Sequence, residues 1–251
     1  MKHHLQVLWL LSACVLTACA PAYRTYPQQA AAPPQPDSVE TKPHLTVRLV
    51  NTVPPLDLSP TSAIVVERTF TVKSTYIGSY IGWSTSKTSR FAGKGSIIVV
   101  HRNVQFAFGF TPLELGSVDF TDESRASSSP LSLTVLIRNP SQSGVQIDWN
   151  AVNIIGKTGK AYPIIHRGVK MAERSGVLAP STVPPGATLD EFIYPRELIS
   201  FSSSRYGSSW LGVQFFEAMK PGDRFTLYLP IKHGGEPIEY QFVFEIGSPP
   251  S

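Results

Sequence analysis

An all-β fold, an antiparallel β-sandwich, is what this sequence predicts, and three observations predict it. From Leu45 onward, short β-branched and aromatic runs recur between clusters of Gly, Pro, Ser and Asn, which is how strands and their turns read. Two of the runs alternate cleanly: Leu131, Leu133, Val135 and Ile137 point one way with Ser132, Thr134, Leu136 and Arg138 opposite, and Phe242, Phe244 and Ile246 alternate with Gln241, Val243 and Glu245. One face inward and one outward is the pattern of an antiparallel sheet with water on one side. No long stretch has helical period, so helical crossovers for a parallel sheet are missing.

The chain opens differently. Met1-Lys2-His3-His4 precedes an apolar stretch from Leu5 to Leu16, broken only by Gln6 and Ser12. A short basic start before such a run reads as a secretory signal peptide. The run is shorter than the ~20 apolar residues that span a bilayer. Leu16-Thr17-Ala18-Cys19 follows, an aliphatic residue, two small ones and a cysteine. This resembles the lipobox of bacterial lipoproteins. The resemblance implies that residues 1–18 are removed, that the Cys19 thiol receives diacylglycerol, and that its new amine is acylated. Ala20 in place of Asp implies, by the same resemblance, delivery to the outer membrane. Leu11-Ser12-Ala13-Cys14 also reads as a lipobox, but cutting there leaves only Leu5 to Leu11 as the apolar run, near the short limit. Cys19 is therefore preferred. One acyl chain holds only marginally at roughly 0.8 kcal/mol per buried methylene, whereas the three chains of a mature lipoprotein hold essentially permanently.

Ala20 to His44 reads as a linker, rich in Pro, Gln and Ala and nearly free of aliphatic residues. Such a segment buries too little apolar surface to fold. Pro33, Pro34 and Pro36 argue against a first strand. A Pro-rich chain of this length extends to roughly 75 Å at ~3.1 Å per residue.

The expected strands are Leu45–Val50, Ala63–Val72, Ser96–Val100, Val104–Phe110, Leu131–Arg138, Val145–Ile155, Leu211–Phe216, Phe225–Ile231 and Ile238–Ile246. Their connections carry turn chemistry at Asn139-Pro140-Ser141-Gln142-Ser143-Gly144, Gly156-Lys157-Thr158-Gly159, Val183-Pro184-Pro185-Gly186 and Lys220-Pro221-Gly222-Asp223. Together, the strand ending in Arg138-Asn139, the hairpin from Gly156 to Tyr162, the Val183–Gly186 turn and the final pair of strands resemble the immunoglobulin-like domains of bacterial envelope lipoproteins. Such domains bind, space and scaffold. The paired cysteines of antibody domains are missing. Residues 45–246 form the expected β-sandwich and 247–251 a tail. Residues 45–130 either add strands to the sandwich or make a separate small β unit.

Composition narrows the function. The chain's two cysteines are Cys14 and Cys19, so the exported domain has no disulfide and depends on a hydrophobic core. A domain of about 200 residues buries some 70% of its unfolded surface, which is enough for one. Net charge is +4, and the basic residues are dispersed with no run of five. That argues for solvated faces and against a nucleic-acid footprint.

Candidate chemistry is sparse. Gly156-Lys157-Thr158 lacks the glycine five residues upstream that a phosphate-wrapping loop needs, Ala151 standing there instead. A hairpin turn accounts for it. His44, His101, His166 and His233 follow neither HxH nor HExxH spacing, and no Gly-x-Ser-x-Gly elbow is present. Asp119, Asp122 and Glu123 lack the oxygen ladder of a calcium loop. No catalytic residue, metal or cofactor is assigned.

Two segments suit recognition. Tyr76-Ile77-Gly78-Ser79-Tyr80-Ile81-Gly82-Trp83 interleaves aromatics with glycine, and read as one strand it places Trp83 on the face opposite Tyr76 and Tyr80. Phe201 to Trp210 is a Ser-rich loop carrying Arg205, Tyr206 and Trp210. Aromatic and Arg side chains on adaptable backbone are what binding surfaces favour; two buried strand faces and a plain flexible loop are the competing accounts. The binding candidates are Tyr80, Trp83, Arg205 and Tyr206. The expected function is a lipid-anchored, non-catalytic sandwich that binds or scaffolds another cell-envelope component, such as a secretion, pilus or cell-wall assembly; an enzyme or enzyme inhibitor acting on peptidoglycan or a secreted protein is the alternative.

The first prediction concerns the anchor. Cys19→Ser releases the protein from the membrane fraction or stalls its processing, read by fractionation and metabolic lipid labelling. Retention and labelling that survive Cys19→Ser but vanish in Cys14→Ser assign the lipid to the other cysteine.

Overall fold

The structure, a computed structural model, describes residues 37–58, 62–76, 83–113, 130–169, 175–204 and 207–250. Among these the chain is built of antiparallel strands, with a single 3-10 turn at Arg196–Leu198 and no α-helix. The strands in chain order are β1 (Ser38–Val53), β2 (Ala63–Tyr76), β3 (Trp83–Lys94), β4 (Ile97–His101), β5 (Val104–Pro112), β6 (Leu131–Arg138), β7 (Val145–Ile147), β8 (Asn153–Ile155), β9 (Ala161–His166), β10 (Ser181–Val183), β11 (Thr188–Pro195), β12 (Ile199–Ser204), β13 (Gly207–Gly212), β14 (Arg224–His233) and β15 (Glu236–Gly247).

The pairing order is β3-β2-β1-β15-β14-β8-β9-β11-β6-β5-β4, with β7 joining β14 to β10. Strand β9 passes between the two layers: Ala161–Pro163 pair with β8 and Ile164–His166 with β11. One layer therefore holds β5-β6-β11-β9, and the other holds β15-β14 followed by β7 and β8. Taking β5 as strand A, the layers run A-B-E-D and G-F-C, two antiparallel sheets facing each other as a β-sandwich. The expected fold is present, and the N-terminal strands extend it. β1 pairs with β15 from Thr46 to Val53, so β1–β3 widen one layer while β4 widens the other.

An aromatic zipper closes the two layers. Phe106, Phe108 and Phe110 point inward from β5, and Tyr240, Phe242 and Phe244 point inward from β15. Ring centroids lie 4.9 Å apart for Phe106–Tyr240, 4.7 Å for Phe108–Phe242 and 5.3 Å for Phe108–Phe244. Phe225 of β14 stacks on Phe244 at 4.8 Å, and Phe216 meets Phe110 at 5.0 Å. Tilted and offset rings at these distances add to plain area burial. Where β3 crosses the end of β5, Gly93 is required. A Cβ there would lie 2.8 Å from both the Cβ and the carbonyl oxygen of Phe110.

Several local expectations are corrected. The linker does not run to His44, because β1 begins at Ser38. Pro43 is accommodated by a register shift between Pro43 and Leu45, one of the few places a sheet accepts proline. Val145–Ile155 is two strands. Asp148 accepts a bond from the Asn150 amide at 3.0 Å, and the turn buries Trp149. The polar run Ser84–Arg90 lies in β3, which, among its described side chains, faces solvent except at the buried Phe91. The Phe201–Trp210 segment is a hairpin whose strands pair Phe201 with Trp210 and Ser204 with Gly207. The strand expected at Leu211–Phe216 stops at Gly212. A single strand through Trp83 is replaced by a reversal, since Tyr76 and Trp83 stand opposite each other across β2 and β3.

Asn139 ties the turns at the far end of the sandwich. It is fully buried. Its amide nitrogen donates to the Ser143 and Val183 carbonyls at 2.8 and 2.9 Å. Its Oδ1 accepts from the Ser141 hydroxyl at 2.6 Å and the Ser141 amide at 3.2 Å. Its backbone exchanges bonds with Ala187 and Gly186. Asn139→Ala strands two carbonyls and frees the turn, so it lowers unfolding stability by about 3 kcal/mol, measured by urea denaturation. Gln142→Ala, in the same turn but exposed, leaves the midpoint unchanged.

Candidate functional site

Antiparallel pairing fixes which strand ends share one pole of the sandwich. Thr46 pairs with Gly247, Arg224 with Glu245, Ile155 with both Thr226 and Ala161, Pro195 with Ile164, Ile193 with Leu133, and Leu131 with Pro112. The Ser38 end of β1, the end of β11 and the end of β5 are therefore together. The β2–β3 ribbon and the β12–β13 hairpin both leave from this pole. The described ends of both segments singled out for recognition, Tyr76 with Trp83 and Ser204 with Gly207, belong to these two hairpins, and β1 begins at the same pole. Tyr80, Arg205 and Tyr206 lie outside the described residues, as does Cys19. Trp83 opens β3 opposite Tyr76.

The ribbon is an extension of the sheet beyond the core. Past Leu45 and Phe91, β1, β2 and β3 have no fully buried described residue. At ~3.4 Å per residue, Thr69–Tyr76 reaches roughly 25 Å outward. Ser38 pairs with Val72 and Tyr76 with Trp83, so three strands continue about half of the way and two go on to Tyr76. The Arg68 guanidinium lies 4.6 Å over the Phe70 ring and 5.2 Å over Phe91, and Lys87 lies 5.3 Å over Phe70. Cations on aromatic faces hold this half-buried stretch with little aliphatic core. Thr41 and Thr69 bond across the opposite face at 2.9 Å.

The roots of both hairpins meet at a buried acid. His44, at the β1 bulge, rests against Phe91 at 5.0 Å and its Nε2 lies 3.1 Å from the Glu217 carbonyl. Glu217 is 5% exposed. Its Oε1 accepts from the Leu131 backbone amide, and Oε2 has no hydrogen-bond partner among the described residues. The Tyr194 hydroxyl donates to the Val213 carbonyl, and the Val213 amide to Leu198 at 3.0 Å, which pins the base of the β12–β13 hairpin. Gly212 lies against Pro130, where a Cβ would come within 2.6 Å of the proline ring. Burial pushes the Glu217 carboxyl up to about 7, against the bonds it accepts from backbone amides. Burial, and then the nearby Glu217 charge, also raise the Tyr194 phenol. Sequence reading missed Glu217. Its signal was a lone acid inside the apolar run Phe215-Phe216-Glu217-Ala218-Met219.

The four described histidines differ in their surroundings. His44 lies in β1 rather than in the linker. His101 bonds the Tyr240 hydroxyl at 2.7 Å. Burial, then Arg102 and His233, hold its ring below the ordinary value, and burial pushes Tyr240 up to about 12. His166 stacks on Trp149 at 4.6 Å with Nδ1 3.5 Å from Glu191, beside the Trp149 Nε1–Ser181 bond of 2.8 Å. His233 Nε2 lies 2.8 Å from the Ser141 hydroxyl. That pair has the spacing of a nucleophile and base but the wrong polarity. The Ser141 proton is taken by the Asn139 oxygen or the Ser143 carbonyl, so His233 is the donor. Among the described residues no group of three or more His, Cys, Asp or Glu could hold a metal. No helix of the described residues is long and apolar enough to cross a membrane.

Comparison with family models, with curated proteins and with solved structures gives no match to this chain.

Glu217 makes stability depend on pH in a defined direction. The folded chain binds its proton more tightly than the unfolded chain, whose value is the ordinary 4.5. The stabilisation is full below about pH 4.5 and is lost as the pH rises through about 7. Over that window the loss reaches about 3 kcal/mol. His101, with a lowered value, acts in the opposite sense as the pH falls through its range, so the comparison with Glu217→Gln isolates the acid. The melting temperature of Glu217→Gln, relative to the parent, should rise between about pH 5 and 7 and level off above that. A constant difference removes the buried acid as the cause.

Proposed function

We propose that this chain is an outer-membrane lipoprotein, anchored through acylated Cys19, that presents a non-catalytic β-sandwich to bind or scaffold another envelope protein such as part of a secretion, pilus or cell-wall assembly. One observation supports this reading above the others. The chain's point of entry and the two aromatic hairpins share one pole, so a leash from the membrane delivers the recognition elements together. With β1 starting at Ser38, the Pro-rich leash from Ala20 extends to roughly 55 Å, shorter than the linker reading gave. The sandwich serves as a rigid mount held by its zipper and turns, and the hairpins at one pole carry binding, as loops do on other immunoglobulin-like frames.

If the pole is the binding surface, a few aromatic and Arg side chains dominate its energy. Tyr80→Ala, Trp83→Ala, Arg205→Ala and Tyr206→Ala should each weaken partner capture by about 2 kcal/mol, roughly thirty-fold, with the melting temperature unchanged. A photo-crosslinker at residue 83 or 206 should trap the same protein in cells, and one at Gln142, exposed on the opposite pole, should not. Unfolding of the alanine variants assigns those side chains to the core. Trapping equally strong at Gln142 moves the interface elsewhere.

A further inference from the structure

The two edges of the sheet are guarded unequally. β3 and β4 end the pairing order. β3 carries Lys87, Arg90 and Lys94 among serines and threonines, the charged edge that discourages strand addition. β4 reads Ile97-Ile98-Val99-Val100-His101, with no acid, lysine, arginine or proline. Ile97 and Val99 are buried, while Ile98 and Val100 are 49% and 61% exposed on the outer face.

The β4–β5 turn decides where the free backbone points. Arg102 and Asn103 both have positive φ, 47° and 61°, and they form the two-residue link between His101 and Val104. Such primed turns are closed by a hydrogen-bonded pair, here His101 with Val104. Hydrogen-bonded pairs alternate along an antiparallel ladder, so Val99–Phe106 and Ile97–Phe108 are bonded as well. Ile98 and Val100 therefore direct their N–H and C=O groups away from β5. No other strand pairs with β4 among the described residues.

We infer that β4 is a dimerisation edge that pairs antiparallel with β4 of a second copy of this chain, across a two-fold axis at Val99. In that register Ile98 of each copy stands opposite Val100 of the other, and both residues present their outward N–H and C=O groups. Each such pair makes two backbone bonds. The strand is its own complement. Its outer positions are β-branched and apolar, Ile97 falls opposite His101, Ser96 falls opposite Arg102, and no like charges face each other. Arg102 is already paired with Glu236 at 2.9 Å. Across the ladder Ile98 neighbours Ala107, and Ala107 neighbours the half-buried Leu136. The pairing joins these into one apolar strip across both copies, as an isologous interface requires.

Two measurements test this. In membranes, Ile98→Cys/Val100→Cys should give a disulfide-linked dimer under mild oxidation, because hydrogen-bonded partners have Cα atoms ~5.5 Å apart, within the range a disulfide spans. The parent chain and Val177→Cys, exposed and away from β4, should not. In detergent, light scattering should give twice the chain mass for the parent and one chain mass for Val100→Lys, with the melting temperature of Val100→Lys unchanged. A monomeric parent, or no dimer from the double cysteine variant, overturns the inference. If Val100→Lys also shifts the melting transition, the cysteine pair decides.

Discussion

The packing of β5 against β15 is the contact on which the rest of this molecule depends. Beyond Cys19 the chain has no cysteine to bridge the layers. Apart from β9, whose backbone pairs with both layers, its two sheets are held by side chains, above all the alternating rings of Phe106, Phe108 and Phe110 against Tyr240, Phe242 and Phe244. These strands are also the points of extension. β1 adds to β15 and β4 arises from β5, so the zipper fixes both the interior and the two additions that distinguish this sandwich from a seven-stranded one.

The poles divide the work. At one, buried Asn139 satisfies its amide and carbonyl groups within two turns and leaves no freedom. At the other, the β2–β3 ribbon and the β12–β13 hairpin leave the core, and their roots converge on Glu217. A buried carboxyl costs stability unless it is protonated or fully hydrogen-bonded. Its position joins β1, β6 and the base of β12–β13 through the His44 ring, the Leu131 amide and the neighbouring Tyr194–Val213 bond. Packing at this pole is therefore coupled to one proton in a way that packing around Asn139 is not.

Edges follow the same logic of local composition. A strand with both faces near water, such as β3, is stable only as part of a ribbon, and its Ser, Thr and Lys content keeps it from recruiting more strands. β4 hides alternate residues under the zipper and exposes the others. The short primed turn at Arg102-Asn103 sets which backbone groups face outward.

Where the period of two coincides with burial, strands could be read directly. β6 runs from Leu131 to Arg138 as its alternation indicates, and β15 contains the expected Phe242, Phe244 and Ile246 face. Turn chemistry was equally legible, since Gly159, Gly186 and Gly222 adopt positive φ that side chains resist. The break inside Val145–Ile155 was present as a change of parity, with Val145, Ile147 and Trp149 inward before it and Val152 and Ile154 after; a turn must intervene, because a strand cannot switch faces without one. β3 had no such sign, because a solvated ribbon imposes no alternation. The recognition segments could be chosen by composition, but their meeting at one pole could not, since it follows from pairings between residues more than a hundred positions apart, such as Thr46 with Gly247. By itself the sequence determined the strands whose alternation coincides with burial, such as β6 and β15, several of the turns, and the lack of a cysteine beyond Cys19, because these depend on neighbours along the chain. The tertiary structure alone decided the shared pole, the buried Glu217 and the open β4 edge, because each depends on which strand ends lie side by side.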